Sequence, residues 1–281
     1  MNSNPVETPI KLITLPYIIL NKDELNNFDI SKIPFNNPPL WIRTLNNSFC
    51  GVATEIHDLS LLLKKASLKS QDDYILIQKG IKGKIFYAIG KRYRQKYILT
   101  DVFNVKFLPG FYRVPYQYWS TSLPIQKENK SISQLFNSIS EYVSPKSKWL
   151  ILELIETLTK LHIAYISAID ELDISLVELQ KVKQKIMKSG EKKYTVFLTW
   201  LLSAGGKIED ISGVDIATKT KDVEKVRIIL KPGDVIKHIS DIPSRDKTGF
   251  IITKGKSFSQ AYSLAKRMMK TIQIKTNNLI L

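Results

Sequence analysis

Cysteine and histidine are nearly missing from this sequence of 281 residues, which contains one cysteine, Cys50, and three histidines. A single cysteine cannot form a disulfide within the chain, and such sparing use of cysteine is typical of a reducing compartment. Structural zinc sites draw their four ligands mainly from cysteine and histidine. The composition therefore excludes an internal disulfide and argues against a Cys/His zinc site.

Long hydrophobic runs are also missing, whereas a membrane-spanning helix needs roughly 18 or more consecutive apolar residues. The longest candidate, residues 149–169, is interrupted by Glu153, Glu156 and Lys160. The first 20 residues have neither the basic start nor the small-residue cleavage site of a signal peptide. We therefore expect a cytoplasmic protein with no membrane segment.

Acidic residues are few relative to basic ones: 42 Lys and Arg against 26 Asp and Glu give 42 − 26 = +16. This excess attracts anions such as nucleotides or nucleic acid. Between residues 84 and 119, basic residues alternate with aromatic ones, a combination that can bind single-stranded nucleic acid. Alternatively, the aromatics form the core of a sheet and the lysines and arginines are solvated. We favour this second interpretation and do not expect nucleic acid as the partner. The charge excess itself is more simply a compositional bias, because lysine is spread along the chain.

Residues 38–84 predict a strand, a loop, a strand, a helix and a strand in succession. Short apolar runs at 40–42 and 52–53 flank a polar turn, and the aliphatic run 74–78 predicts a buried strand. Asp58 is a suitable cap for the helix. The apolar residues of that helix recur at helical spacing: Leu59, Leu62, Leu63 and Ala66.

The middle of the chain is predicted to mix strands and helices. We expect strands at 84–89, 96–107, 162–169 and 174–179, and helices from Ser131, at 147–161 and at 194–204. The two strands after residue 161 are predicted to form a hairpin. A lysine-rich connector, residues 181–193, is the best candidate for a domain boundary.

The last quarter of the chain contains two recognisable phrases. Residues 205–236 read GGKIEDISGVDIATKTKDVEKVRIILKPGDVI, and residues 244–255 read SRDKTGFIITKG. Proline followed by glycine, at 232–233, suits a tight turn between strands. Ser257 and Gln260 have the spacing of a capping box and predict the start of a final helix.

In their order and phrasing, these segments resemble the ATP-grasp superfamily and, within it, the carboxylate–amine ligases. The elements of residues 38–84 follow the order in which that family builds the roof of its nucleotide site, and the two later phrases are similar to its C-terminal subdomain. The resemblance implies an α+β ATP-grasp fold of two α+β subdomains with a C-terminal carboxylate–amine-ligase-type subdomain. It implies a division into a lead-in (1–37), a roof subdomain (38–84), a core sheet subdomain (85–193) and a C-terminal ligase-type subdomain (194–281).

The resemblance also implies the positions of a nucleotide and metal site. Six residues would contact ATP: Arg43, Ser48, Gly51, Gln78, Lys79 and Lys84. In the family, a hairpin carries an acid on its first strand and a Glu-x-Asn phrase on its second, and these acids hold Mg²⁺ against the ATP phosphates. At the end of the predicted hairpin, the metal ligands would be Glu178 and Gln180. The catalytic residues would be Lys183, shortly after the hairpin, and Arg245, in the phrase at 244–255. Tyr165, 178 − 165 = 13 residues before Glu178, stands where the first acid is expected.

Several of these positions depart from the family pattern in their chemistry. Arg43 replaces a lysine, and its planar guanidinium is not equivalent to an ammonium. The loop at 46–51 keeps one glycine where the family uses several. Lys79 replaces a glutamate, and Lys84 replaces an acid that would accept hydrogen bonds, which a lysine cannot do. The cofactors are therefore ATP and Mg²⁺ if the site still functions, and none otherwise.

Three functions follow from these observations. The first is a non-catalytic or partner-dependent homologue, or a subunit, of an ATP-dependent carboxylate–amine ligase. The second is an active carboxylate–amine or carboxylate–thiol ligase that acts through an acylphosphate. The third is a basic protein that binds single-stranded nucleic acid. Because nothing before residue 38 resembles the α/β domain that precedes this point in the family, we expect either a protein partner that supplies this domain or a homo-oligomer.

Overall fold

The structure is a computed structural model. It describes residues 12–35, 37–44, 49–70, 73–108, 115–121, 126–143, 146–158, 160–203, 205–236 and 247–277. The strands, in chain order, are β1 (Leu12–Thr14), β2 (Tyr17–Asn21), β3 (Leu40–Thr44), β4 (Cys50–Ala53), β5 (Tyr74–Lys79), β6 (Lys84–Tyr93), β7 (Lys96–Phe107), β8 (Pro115–Thr121), β9 (Trp149–Glu156), β10 (Leu161–Ile169), β11 (Thr195–Leu201), β12 (Gly206–Ser212), β13 (Val223–Ile228), β14 (Val235–Ile236), β15 (Gly249–Gly255) and β16 (Gln273–Asn277). The α-helices are α1 (Asp58–Lys69), α2 (Gln126–Ile139), α3 (Ile174–Lys188), α4 (Val214–Lys219) and α5 (Phe258–Thr271), and 3₁₀ turns cover Lys22–Asn27 and Ile30–Lys32.

The chain divides into two compact units, each assembled from three separate segments. Unit 1 consists of residues 1–15, 81–104 and 124–172, and unit 2 consists of residues 16–80, 105–123 and 173–281. The fold is a mixture of helices with mainly antiparallel sheets, as the sequence predicts.

Unit 1 is a sheet in the order β1-β10-β9-β6-β7, in which β1 is parallel to β10 and the other pairs are antiparallel. Helix α2 packs on one face, where Phe136 lies against Leu150, Leu152 and Leu154 of β9. A side chain at Gly90 would place its Cβ 2.5 Å from the Phe136 ring. Glycine is therefore needed there for the helix to approach the sheet.

Unit 2 begins with the roof, a sheet in the order β2-β5-β3-β4 that is covered on one face by α1. The apolar face of α1 buries Leu59, Leu62, Leu63 and Ala66, the four residues expected from the helical spacing. The prediction that Asp58 caps this helix is wrong, because the N-cap residue is His57 and no side chain caps the helix. The Asp58 carboxylate instead accepts hydrogen bonds from the backbone N–H groups of Thr54 and Glu55, in the turn before the helix. The predicted order of elements between residues 38 and 84 is confirmed.

The remainder of unit 2 contains two further sheets. One has the order β8-β11-β15-β13, with each neighbouring pair antiparallel, and is covered by α5, which contacts β15 and β11. The other is a small sheet in the order β14-β12-β16. Helix α5 begins at Ser257, whose hydroxyl accepts a hydrogen bond from the Gln260 backbone N–H, as the capping pattern predicts.

Three predicted elements in the middle of the chain are wrong. Residues 149–156 and 195–201 form strands β9 and β11 rather than helices, and residues 174–188 form helix α3 rather than the second strand of a hairpin. β9 and β11 are buried on both faces, so their sequences are apolar without the alternation that marks a half-exposed strand. Asp173 caps α3 by accepting a hydrogen bond from the Ser175 backbone N–H, and this cap was missed in the sequence.

No helix in the described ranges is both long and apolar enough to cross a membrane.

Candidate functional site

The roof sheet has two chemically different faces, because side chains alternate along each strand. Leu40 and Ile42 face the core beneath α1, so Trp41 and Arg43 lie on the other face. Arg43 is only 2% exposed, and its guanidinium carbon lies 5.3 Å from the centre of the Trp41 ring. A charge at this depth must be compensated, and stacking on an aromatic ring is one way to do so. The predicted phosphate-contacting cation is thus fixed in the roof rather than extended into solvent.

Gln78 lies on the same face of the roof as Trp41, its direct partner across β3 and β5. The Gln78 side chain is 5% exposed, and its amide oxygen Oε1 has no hydrogen-bond partner among the described residues. A buried amide oxygen without a donor is uncommon in folded proteins and often marks the place of a ligand or an ordered water. Gln78 and Arg43 are the two predicted nucleotide contacts that the structure brings onto one surface.

The other predicted roof contacts lie elsewhere. Lys79 is the partner of Leu40 in the ladder, so its side chain starts from the face opposite to that of Gln78. A Cβ on Gly51 would lie 2.9 Å from Leu62 of α1, which gives this glycine a packing role. Ser48 lies outside the described residues. That Ser48, Gly51 and Lys79 bind the nucleotide therefore stays a prediction.

Lys84 begins β6 in unit 1, where it faces Glu156 across the ladder. Its side chain is 78% exposed, and Nζ lies 3.8 Å from a carboxylate oxygen of Glu156. An ion pair as exposed as this one stabilises a protein by about 1 kcal/mol or less. Lys84 thus contacts Glu156 in an exposed ion pair. Its predicted contact with the nucleotide stays a prediction.

The predicted metal hairpin has to be redrawn, because its second strand is helix α3. Glu178, Gln180 and Lys183 lie on that helix, and Glu178 pairs with Lys181 at 3.0 Å and with Lys225 at 3.9 Å. The premise that placed these three residues at the end of a strand is therefore wrong. The strand predicted at 162–169 is present as β10, and its hairpin partner is β9.

On the observed hairpin, an acid does occur on the first strand. Glu153 of β9 has two direct partners in the ladder, Tyr165 of β10 and Tyr87 of β6. Paired residues share a face, so the three side chains form a row on the face of the sheet opposite α2. The Glu153 side chain is 4% exposed. The sequence does not reveal this carboxylate as a site residue, because the apolar run 147–161 predicts a helix where the structure has strand β9.

The Tyr87–Glu153–Tyr165 row does not fit a Mg²⁺ ion well. Mg²⁺ in proteins is held by carboxylates and phosphate oxygens, whereas a phenol is protonated at neutral pH and carries no charge. The row offers one carboxylate, and the described part of the chain has no group of three or more His, Cys, Asp or Glu residues that could hold a metal. Tyr165 is also the position at which the resemblance leads us to expect an acid.

A second buried charged group lies in unit 2, at Lys247. The predicted catalytic residue Arg245 lies outside the described residues, so its role stays a prediction. The ammonium of Lys247 is 3.1 Å from the Asp173 carboxylate and 3.6 Å from the centre of the Trp200 ring. Burial opposes ionisation of Asp173, but the Lys247 charge and hydrogen bonds from Ser175 outweigh it and hold the pKa of Asp173 below its usual value. Lys247, which lies just before β15, therefore links Asp173 at the N-cap of α3 with Trp200 of β11.

The chain was compared with known proteins. Residues 199–277 match the family described as L-amino acid ligase C-terminal domain 2. A search of curated proteins found no match.

Several solved structures share the fold at low sequence identity. The L-amino acid ligase from Bacillus licheniformis superposes with a TM-score of 0.68 at 15% identity, over 95% of this chain and 69% of that one. The biotin carboxylase domain of the Hydrogenobacter thermophilus 2-oxoglutarate carboxylase, a complex with MgADP, ADP and bicarbonate, gives 0.62 at 12% identity, over 94% and 63%. The N5-carboxyaminoimidazole ribonucleotide synthetase from Thermotoga maritima gives 0.58 at 12% identity, over 94% and 68%. At these identities, the likeness concerns the fold.

Proposed function

We propose that this chain, which has the ATP-grasp fold of the carboxylate–amine ligases, is a homologue of those enzymes that has lost Mg²⁺-dependent phosphoryl transfer. The observation that carries the proposal is the presence of Tyr165 opposite Glu153 on the β9–β10 hairpin. Phosphoryl transfer from ATP depends on metal ions that neutralise the developing charge on the phosphates. A site with one carboxylate and two phenols supplies too little negative charge to hold such an ion.

The proposal keeps a role for the roof as a surface that binds nucleotide without a metal. Arg43 supplies a permanent positive charge that acts on a phosphate through space, and the buried Gln78 amide oxygen would have to turn outward to accept a hydrogen bond from an exocyclic amine. Neither interaction requires a divalent ion. We therefore expect an adenine nucleotide to bind with similar affinity in the presence and absence of Mg²⁺.

Isothermal titration with ATP tests this expectation when it is carried out once with excess Mg²⁺ and once with EDTA. The proposal predicts two indistinguishable isotherms, and no release of ADP when pairs of amino acids are added as trial substrates. Binding that needs Mg²⁺ and is abolished by Glu153→Gln would overturn the proposal. ADP release that depends on an added amino acid would overturn it as well.

A gain of metal binding provides a second and more direct test. Tyr165→Glu places a second carboxylate opposite Glu153, so we expect this variant to bind Mn²⁺, measured by electron paramagnetic resonance, while the wild type does not. Tyr165→Gln is the matched control, because it shortens the same side chain without adding charge. Equal Mn²⁺ binding by both variants, with both folded by circular dichroism, would show that this row is not the metal position.

The active ligase is the second candidate, favoured by the survival of Glu153 and of a cation at Arg43. Its signature is substrate-dependent ADP release in the assay above. In a partner-dependent homologue, that release would occur only when the second chain is present, and it would contradict the loss of phosphoryl transfer proposed above.

The nucleic-acid hypothesis is weakened by the positions of the aromatic residues. Phe86, Tyr97, Phe103 and Tyr118 are at most 7% exposed, so these four rings pack in the core and cannot stack on bases, whereas Tyr93 is 60% exposed. Salt-dependent binding to a single-stranded oligonucleotide would revive it.

A further inference from the structure

Unit 2 contains a cavity of about 600 Å³ that none of the proposed nucleotide or metal contacts lines. Its walls come from the turn after α4 (220–222), the end of β15 and the turn that follows (254–256), and one side of α5, with Glu191 completing the lining. Three separate parts of the chain thus converge on one depression. The volume falls within the range typical of small-molecule sites.

The inner wall of the cavity is charge-compensated. Lys254 lies 3.3 Å from Glu191 and 3.6 Å from Glu224, and Lys185 holds the other oxygen of Glu224 at 3.1 Å. Burial opposes the charged form of Lys254, but Glu191, Glu224 and Asp222 together raise its pKa above the usual value. The network fixes the wall and does not leave Lys254 available as the principal binding charge.

The rim of the cavity, in contrast, is basic. Lys221, Lys256 and Arg267 are exposed, and none has an acidic partner within the described ranges. They come from three different elements, so a single bound molecule can contact all three charges. Two acids line the cavity among the described residues, Asp222 and Glu191, and Glu191 is paired with Lys254. The positive φ of 64° at Asp222 turns the chain so that its carbonyl accepts a hydrogen bond from the Lys254 backbone N–H at 2.9 Å.

Helix α5 adds polarity of the same sign. Its N-terminal turn lines the cavity, and the partial positive charge at a helix N-terminus favours anions. The backbone N–H of Lys256 already donates to the Gln260 side chain at 2.9 Å, so the contribution here is electrostatic and not a free donor. The three rim cations and the N-terminus of α5 therefore all attract an anion into the cavity.

We propose that this cavity binds a small phosphate-bearing anion, as a site separate from the roof and from the Tyr87–Glu153–Tyr165 row. Three cations match a ligand with several negative charges better than a single carboxylate. Arg267 supplies the planar fork suited to phosphate oxygens, and the two lysines act as point charges.

Inorganic pyrophosphate is a suitable probe because it is small, multiply charged and free of a base that could bind the roof. We expect saturable binding in isothermal titration at near-physiological ionic strength, with shifts of the Gly255 and Lys256 amide resonances that report on this cavity alone. Arg267→Glu should weaken binding by at least about tenfold, since it replaces an attractive charge with a repulsive one.

Lys270→Glu is the matched control, because it lies on the same helix, is exposed and does not line the cavity. It changes the net charge of the protein by the same amount, so general attraction of anions falls equally in both variants. We expect Lys270→Glu to weaken pyrophosphate binding by less than about twofold. Equal weakening by both variants would overturn the proposal, as would the absence of saturable binding or a wild-type titration that leaves the Gly255 and Lys256 resonances unchanged.

Discussion

Replacing Lys247 with methionine tests the energetic role of the buried Asp173–Lys247–Trp200 cluster. The Lys247 side chain is 7% exposed, and methionine fills most of its volume without carrying charge. The substitution therefore removes the ammonium from the carboxylate and from the ring, and leaves the packing nearly unchanged.

The expected cost follows from the burial of the two partners. Removing one member of a fully buried ion pair costs about 3–5 kcal/mol, because the other charge is left without compensation. The Asp173 side chain is 33% exposed and keeps two hydrogen bonds from Ser175, so water and these donors recover part of that cost. We expect Lys247→Met to lower the free energy of unfolding by about 2–3 kcal/mol, including the lost cation–π contact.

The pH dependence supplies a second signature. Since the pKa of Asp173 is lowered in the folded state, its stabilising contribution is present above the unfolded pKa of about 3.9 and is lost as the pH falls through the folded value. The difference in the free energy of unfolding between wild type and Lys247→Met should thus be largest at neutral pH and should decrease below about pH 4.

Urea unfolding followed by tryptophan fluorescence, at neutral pH and at pH values near and below 4, measures both effects. Lys225→Met is the control, because Lys225 is 44% exposed and pairs with Glu178 at 3.9 Å, so we expect a cost of less than about 1 kcal/mol. The reasoning fails if both substitutions cost the same, or if the Lys247→Met difference does not change with pH.

Three glycine substitutions test the packing of the units by thermal unfolding. Gly90→Ala should destabilise unit 1 by about 1–3 kcal/mol, since the new methyl group overlaps the Phe136 ring; an unchanged transition would mean that α2 shifts at no cost. Gly213→Ala should destabilise unit 2 more than Gly233→Ala. Both positions have positive φ, but only at Gly213 would the new Cβ collide with backbone, at the Thr271 carbonyl oxygen. If Gly213→Ala and Gly233→Ala destabilised the protein equally, the strain of positive φ alone would explain both effects, and the predicted collision at Thr271 would be refuted.

The roof could be predicted from the sequence because each of its elements carries a local signal. The residues of α1 recur at helical spacing after Asp58, and β3 and β5 are short apolar runs with turns at their ends. Such short runs bounded by turn residues leave no room for a helix, so β3 could be predicted although it is buried on both faces. The same reasoning failed for β9 and β11, because a longer apolar run that is buried on both faces has the composition of a buried helix.

The error in β9 had a direct effect on the candidate site. The predicted hairpin pairs 162–169 with 174–179, whereas the observed one pairs β9 with β10. The prediction therefore makes Glu178 a metal ligand and puts Glu153 in a helix, where it has no partner across a sheet. Pairing across strands depends on register, which a single sequence does not specify without the correct elements. The cluster of Asp173, Trp200 and Lys247 was also beyond prediction, since its members are brought together only by tertiary packing.

The interleaving of the two units sets the order in which the chain can fold during synthesis. The six segments alternate, so the chain passes between units five times, after residues 15, 80, 104, 123 and 172. All segments of unit 1 have left the ribosome once residue 172 has emerged, and the roof, with its own core, is available earlier still. The last segment of unit 2 follows only afterwards, so strand β8 must wait for its partner β11, which lies more than 70 positions farther along the chain (195 − 121 = 74). During this interval β8 lacks that partner, and its exposed edge is a point at which aggregation or chaperone binding would act on the nascent protein.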